Sequence, residues 1–101
     1  MTAAALAPAA RRDLLDAARW IAKDNPRAAM ALKDALVRAA RRIGKHPAIG
    51  VERPDIANPP IHFLPLTGFP YVLVYDADRR PPLILRVLHA ARDLPELLRE
   101  G

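Results

Sequence analysis

The segment RVLHAARD, residues 86–93, carries four side chains that could do chemistry within eight positions: Arg86, His89, Arg92 and Asp93. Histidine exchanges a proton near neutral pH, and arginine binds phosphate or carboxylate groups through its fork of N–H donors. The segment starts as an apolar strand and ends in charge. It predicts a catalytic edge, a surface that binds an acidic partner, or the hydrated end of a buried strand, and the surrounding elements must decide among these.

The composition limits the classes of function that the chain could serve. With 51% hydrophobic and 27% charged residues in 101 positions, residues 1–101 are predicted to form one ordered domain. There is no cysteine, and the three histidines lack the spacing of a metal site, so we expect no metal or cofactor. The sequence has no signal peptide and no apolar run of membrane length, so we expect a cytoplasmic protein without membrane contact. The net charge of +5 favours an acidic partner, either nucleic acid or an acidic protein segment.

Two amphipathic helices are predicted in the first half of the chain. Apolar residues recur at helical spacing over residues 9–24, and Trp20 at the margin of that stripe is interpreted as a core residue. Asn25 is a good N-cap and Pro26 suits the first helical position, so a second helix is predicted over residues 26–44. The short connection predicts an antiparallel helical hairpin. The basic run at the end of the second helix is interpreted as a charged helix end: Arg38, Arg41, Arg42 and Lys45.

Three strands are predicted in the second half, after a proline-rich loop over residues 46–60. They cover residues 61–66, 71–76 and 83–89, and their short connections predict an antiparallel meander. Their almost continuous apolarity indicates that both faces of the sheet are covered in the working state. One helical hairpin covers only one face. The tail offers a helical turn or two with an apolar side that would cover the other face incompletely: Leu94, Leu97 and Leu98.

Four segments together resemble the RelE/ParE superfamily of bacterial toxins from type II toxin–antitoxin systems, and its ParE-like plasmid-stabilisation branch in particular. They are DLLDAARWIAKDNPRAA (13–29), HPAIG (46–50), GFPYVLVY (68–75) and LRVLHAARDL (85–94). The resemblance implies that TAAALAP near the N-terminus is a strand, which its poor β propensity does not predict. The expected fold is therefore α+β, an antiparallel sheet of about four strands with the N-terminal helical hairpin packed on one face.

The resemblance implies a toxin, with the target left open between two branches. ParE-like members act on DNA gyrase, whereas RelE-like members are endoribonucleases that cut mRNA in the ribosomal A site, so the chain's status as an enzyme stays open. Both are held inactive by a cognate antitoxin, which would be the acidic partner and would bind operator DNA through its other end. A third alternative is a non-toxic repressor subunit with the same fold.

A nuclease would need a base, an acid and phosphate-binding cations on one face, and the candidate residues are His62, Arg86, His89 and Arg92. RelE-like members commonly carry an aromatic residue or a His–Tyr pair near the C-terminus, whereas no tyrosine follows Tyr75 here, which disfavours this alternative. We expect His89 to make a strand-end hydrogen bond, with Asp93 as its partner. Strand alternation places Arg86 on the face of Ile84 and Leu88. The candidates for contact with target or antitoxin are Arg53, Arg86, His89, Arg92 and Asp93.

Overall fold

The structure, a computed structural model, describes residues 2–100, with side chains described for residues 2–96. Within these described residues, three helices and five short strands make up the α+β fold that the sequence predicts. In chain order they are β1 (Ala5–Leu6), α1 (Pro8–Ala22), α2 (Pro26–Lys45), β2 (Val51–Glu52), β3 (Ile61–Pro65), β4 (Tyr71–Asp76), β5 (Leu83–His89) and α3 (Ala90–Glu100).

The five strands form one mixed sheet in the order β1-β5-β4-β3-β2. β3, β4 and β5 form the predicted antiparallel meander, and β1 supplies the N-terminal strand that the resemblance implies. Two details differ from the expectation of about four antiparallel strands. β1 pairs with β5 in parallel, with Ala5 opposite Leu83. In addition, two residues of the predicted loop form β2, with Val51 opposite Phe63 on β3.

The helical hairpin forms as the capping residues predict. The Ala28 N–H donates to Oδ1 of Asn25 over 3.1 Å, and Pro26 occupies the first turn of α2, where its missing N–H costs nothing. Near its other end, α2 lies directly beneath the N-terminal segment, where the Ala4 N–H donates to the Ala40 carbonyl over 2.9 Å. Gly44 makes this approach possible, because a Cβ there would meet the carbonyl oxygen of Thr2.

The sheet separates two apolar layers of unequal size. The larger layer, the hairpin-side core, packs α1 and α2 on the sheet and includes Leu32, Leu36, Ile43, Leu73, Tyr75, Ile84 and Val87. The opposite layer, the second-face cluster, consists of Phe63, Val72, Val74 and Leu88, with partial cover from Ile56, Ala57, Ile61 and Leu94. Leu94 comes from α3, whose 11 residues exceed the turn or two that we predicted. Leu97 and Leu98, predicted for the same apolar side, lie outside the described side chains.

The prediction that Trp20 belongs to the core is wrong, because the side chain is 69% exposed. The buried stripe of α1 consists of alanines, Ala10, Ala17 and Ala18, which let the helix lie close to its neighbours. Trp20 lies beside that stripe, with the Lys23 ammonium 5.0 Å from its ring centroid. Among the described helices, none is long and apolar enough to cross a membrane.

Candidate functional site

A bulge in β5 decides which way the arginine of RVLHAARD faces. Pairing with β4 passes from Ile84 to Arg86 and skips Leu85. One extra residue reverses the alternation of side chains beyond it. Ile84 therefore lies in the hairpin-side core, whereas Arg86 lines a groove on the opposite face together with Leu88. The expectation that Arg86 shares a face with both Ile84 and Leu88 is wrong for Ile84.

Arg86 is held by Asp13 of α1. Its Nε lies 2.7 Å from Oδ2 and its Nη2 lies 3.0 Å from Oδ1, a two-point contact. The same carboxylate accepts the Val87 N–H over 3.0 Å, at the edge of β5 beyond the point where β1 ends. The hydrogen bond that Arg86 donates to Asp13 is also the main reason that the pKa of Arg86 is raised. Arg86 thus serves a structural contact, although half of its side chain stays exposed.

The other three candidate residues of the segment, His89, Arg92 and Asp93, contact one another at the start of α3. Nδ1 of His89 accepts the Arg92 N–H over 3.2 Å, and the Asp93 carboxylate accepts the His89 N–H over 2.7 Å. This reciprocal arrangement resembles a capping box. Asp93 therefore contacts the backbone of His89, where we had expected the imidazole. Arg92 pairs with Asp93 over 3.0 Å, and its hydrogen bond is the main cause that lowers the pKa of Asp93.

The remaining predicted residues lie elsewhere. The ring of His62 lies 5.6 Å from that of Tyr75 at one end of β4, whereas the ring of His89 lies 5.4 Å from that of Tyr71 at the other end. Tyr71 and Tyr75 are four residue steps apart on the strand, which corresponds to about 13 Å. Nδ1 of His62 is 3.0 Å from the carbonyl oxygen of Pro60. The structure thus brings Arg86, His89 and Arg92 together and leaves His62 apart.

Arg53 lies on the loop after β2. It forms an exposed ion pair with Asp55 over 2.9 Å, which is the main reason that its pKa is raised. It also lines an apolar groove of about 200 Å³ together with Val51, Phe63 and Leu94, which we call the β2 groove. Arg53 is therefore separate from the β5 segment but borders the same face of the sheet.

Tyr75, which has no role among the predicted site residues, anchors the loop HPAIG to the sheet. Its buried hydroxyl donates to the Pro47 carbonyl over 2.6 Å and accepts the Gly50 N–H over 2.9 Å. A Cβ at Gly50 would lie 2.9 Å from the Phe63 carbonyl oxygen and from the Tyr75 ring. Burial raises the pKa of Tyr75. The available signal was that Gly50 and Tyr75 both belong to the segments that carry the family resemblance.

A second and larger groove lies on the same sheet face, beside β5 and α3. This β5 groove has a volume of about 420 Å³ and an apolar floor, and it is lined by Ile56, Ala57, Ile61, Phe63, Val74, Leu85, Leu88, Arg86, Asp93 and Glu96. Both grooves are open to solvent and could take apolar side chains of a partner. The candidate functional surface is therefore the second sheet face, which α3 partly covers and which Arg53 and Arg86 border.

Comparison with known proteins agrees with this fold. The sequence profile described as "ParE toxin of type II toxin-antitoxin system, parDE" matches residues 5–94. Among solved structures, the chain is similar to one described as "Chromosomal ParDE TA system from P. aeruginosa", with a TM-score of 0.72 and 19% sequence identity over 88% of this chain and 96% of that chain. At this identity the structural likeness concerns the fold. No protein with a curated description is similar enough in sequence to count as a match.

Proposed function

Since the chain belongs to the ParE toxin family of type II toxin–antitoxin systems, we propose that it poisons DNA gyrase in the cytoplasm and is neutralised by a cognate antitoxin. Gyrase is the target that the ParE-like resemblance implies. In this proposal the toxin acts by binding to its target and does not cleave RNA.

One observation carries the choice of binding over cleavage: His62 lies apart from the other three candidate groups, and those three are engaged in contacts that hold the fold together. His62 lies at the opposite end of β4 from His89. Nδ1 of His89 accepts a backbone N–H at the start of α3, and Arg86 is held by Asp13. A general base must reach the proton that it abstracts, and cations must face the phosphate that they stabilise. Because these side chains already make structural contacts, the arrangement favours a protein that acts by binding over one that acts by catalysis.

The second sheet face supports the antitoxin half of the proposal. Its two grooves leave apolar floor open beside α3, and two arginines, Arg53 and Arg86, border it. An acidic antitoxin segment with apolar side chains would match both properties, because burial supplies affinity and charge speeds encounter. We propose that operator DNA is bound through the antitoxin of this complex.

The test is to induce the protein in a sensitive host and to follow two readouts in parallel. Gyrase poisoning predicts a DNA-damage response before protein synthesis falls, together with loss of supercoiling by purified gyrase. Rapid arrest of translation with ribosome-dependent mRNA cleavage would overturn the proposal in favour of the endoribonuclease. Growth without arrest would instead indicate the non-toxic repressor subunit. The matched control is co-expression of the antitoxin, which should restore growth.

A further inference from the structure

A strongly basic surface lies away from these two grooves, on α2. Four cations lie within its last two turns, and we call them the α2 basic patch: Arg38, Arg41, Arg42 and Lys45. All four side chains are exposed, and no acidic residue occurs between Asp34 and Glu52. The ion pairs found among the described residues involve Arg53, Arg86 and Arg92, so none of them neutralises the patch.

The patch borders a defined hollow. Arg38 and Arg42, one helical turn apart, line one wall of a cleft of about 310 Å³ between α2 and the turn that follows β3. The other wall consists of Pro65, Leu66 and Thr67, and the exposed Thr67 contributes a hydroxyl. Two guanidinium groups and a hydroxyl around one hollow are donors suited to an anion.

A charged helix end alone does not account for the patch. The helix dipole favours cations in the last turn, which holds Arg42 and Lys45. Arg38 and Arg41 lie one turn earlier, where the effect of the dipole has largely decayed. The patch also gathers four of the sixteen lysine and arginine residues of the chain within eight positions. Like charges one turn apart repel each other, so the arrangement costs stability unless an anion compensates it.

The surroundings of the patch favour nucleic acid over protein as the anion. A protein interface normally has an apolar core, whereas none of the large exposed apolar side chains lines the cleft, whose exposed residues are Arg38, Arg42, Pro65 and Thr67. Phosphate contacts need cations and donors but no apolar core. The cleft also lies on the hairpin side of the sheet, because Leu66 belongs to the hairpin-side core. A partner on the second sheet face would therefore leave the patch accessible.

We propose that the α2 basic patch binds backbone phosphates of nucleic acid without reading its sequence, so that the toxin itself adds phosphate contacts wherever it meets DNA or RNA. Arg38, Arg42 and Thr67 hold one phosphate in the cleft, and Arg41 and Lys45 contact its neighbours. This activity is separate from gyrase poisoning and does not depend on it.

The experiment measures binding of the isolated chain to a fluorescently labelled DNA duplex of random sequence over a salt series. Four phosphate contacts predict a slope of log K against log salt of about −3.6. The double variant Arg38→Gln with Arg42→Gln should weaken binding at least ~10-fold at low salt and reduce the slope by about 2. Arg38→Lys with Arg42→Lys should retain most of the slope, because Lys also neutralises phosphate.

The matched control is Arg11→Gln with Arg19→Gln, which makes the same change of charge on exposed positions of α1. Equal weakening by both double variants would overturn the proposal, because it would reduce the effect to net charge. Labelled poly-glutamate that binds the patch as well as the duplex does would also overturn it, in favour of an acidic protein. The same binding experiment is repeated with single-stranded RNA. Weaker binding of either the duplex or the RNA to the Arg38→Gln, Arg42→Gln variant supports the site. Circular dichroism confirms that every variant is folded.

Discussion

The carboxylate of Asp13 and the guanidinium of Arg86 face each other over 2.7 and 3.0 Å, and this pair joins α1 to β5 at the edge of the sheet. β1 pairs with only the first two residues of β5, Leu83 and Ile84. Farther along, the Val87 N–H has no strand to pair with, and Asp13 accepts it instead. One side chain thus closes the sheet edge and orients the arginine.

Replacing Asp13 with Ala should destabilise the fold by about 1–3 kcal/mol, because it leaves the Val87 N–H without its acceptor. Arg86→Gln should cost less, since Asp13 keeps the backbone contact. Denaturant unfolding of the variants measures both effects. The control is Asp16→Ala, an exposed position three residues along the same helix. If Asp13→Ala and Asp16→Ala unfold alike, the edge contact does not contribute to stability.

Tyr75→Phe should destabilise the protein by about 1–3 kcal/mol, because the Gly50 N–H and the Pro47 carbonyl lose a buried partner. The pKa of Tyr75 is raised above its ordinary value of 10.0, so above that pH the folded state retains a proton that the unfolded state has released. Stability should therefore fall as pH rises beyond that value. Chemical unfolding across alkaline pH should show a shallower fall for Tyr75→Phe. Equal slopes for Tyr75→Phe and the wild type would contradict the assignment.

Gly44→Ala tests the crossing of the N-terminal segment over α2. In most helices this change stabilises by about 0.5–1 kcal/mol, because glycine loses more backbone entropy on folding. Here the new methyl group would meet the Thr2 carbonyl oxygen, so we expect a loss of about 1–3 kcal/mol from overpacking. The sign of the change in thermal unfolding therefore decides. A rise in melting temperature would show that the N-terminal segment moves away without cost.

His89→Asn separates the capping role of the imidazole from proton transfer. Asn is a good N-cap, so it should still accept the Arg92 N–H and leave the stability nearly unchanged. Toxicity in a growth-arrest assay should persist. A nuclease that used His89 as its acid or base would lose ~100-fold or more in rate. Loss of arrest at unchanged stability and antitoxin affinity would return His89 to a catalytic role. His89→Ala, which removes the cap, should lower the free energy of unfolding by about 1 kcal/mol. This variant is the positive control, because it shows that the unfolding measurement detects loss of the cap.

The periodicity of the sequence located most elements because their signals are local. β4 and β5 have the predicted bounds, and Asn25 caps α2 as expected, since each depends on neighbouring residues. The errors arose where distant contacts decide. The bulge at Leu85 depends on pairing with β4, and β2 forms beside the point where Tyr75 anchors Gly50.

The candidate site was predicted in part. Arg86, His89, Arg92 and Asp93 are adjacent in the chain, so their proximity followed from sequence alone. Their partners did not, because Asp13 is 73 residues from Arg86 in the chain. The exposure of Trp20 could not be predicted either, because a stripe of small alanines carries the packing of α1. Residue type suggested the chemistry, and tertiary contacts decided whether it is available.

The parallel pairing of β1 with β5 determines when the sheet can be completed during synthesis of the chain. β1 is made first, yet its neighbour in the sheet is the last strand to leave the ribosome. The sheet therefore cannot close, and β5 cannot dock against α1 through Asp13, until translation has passed residue 89. A nascent chain that ends before residue 89 therefore cannot complete this sheet. The order of the strands makes the complete sheet a product of finished synthesis.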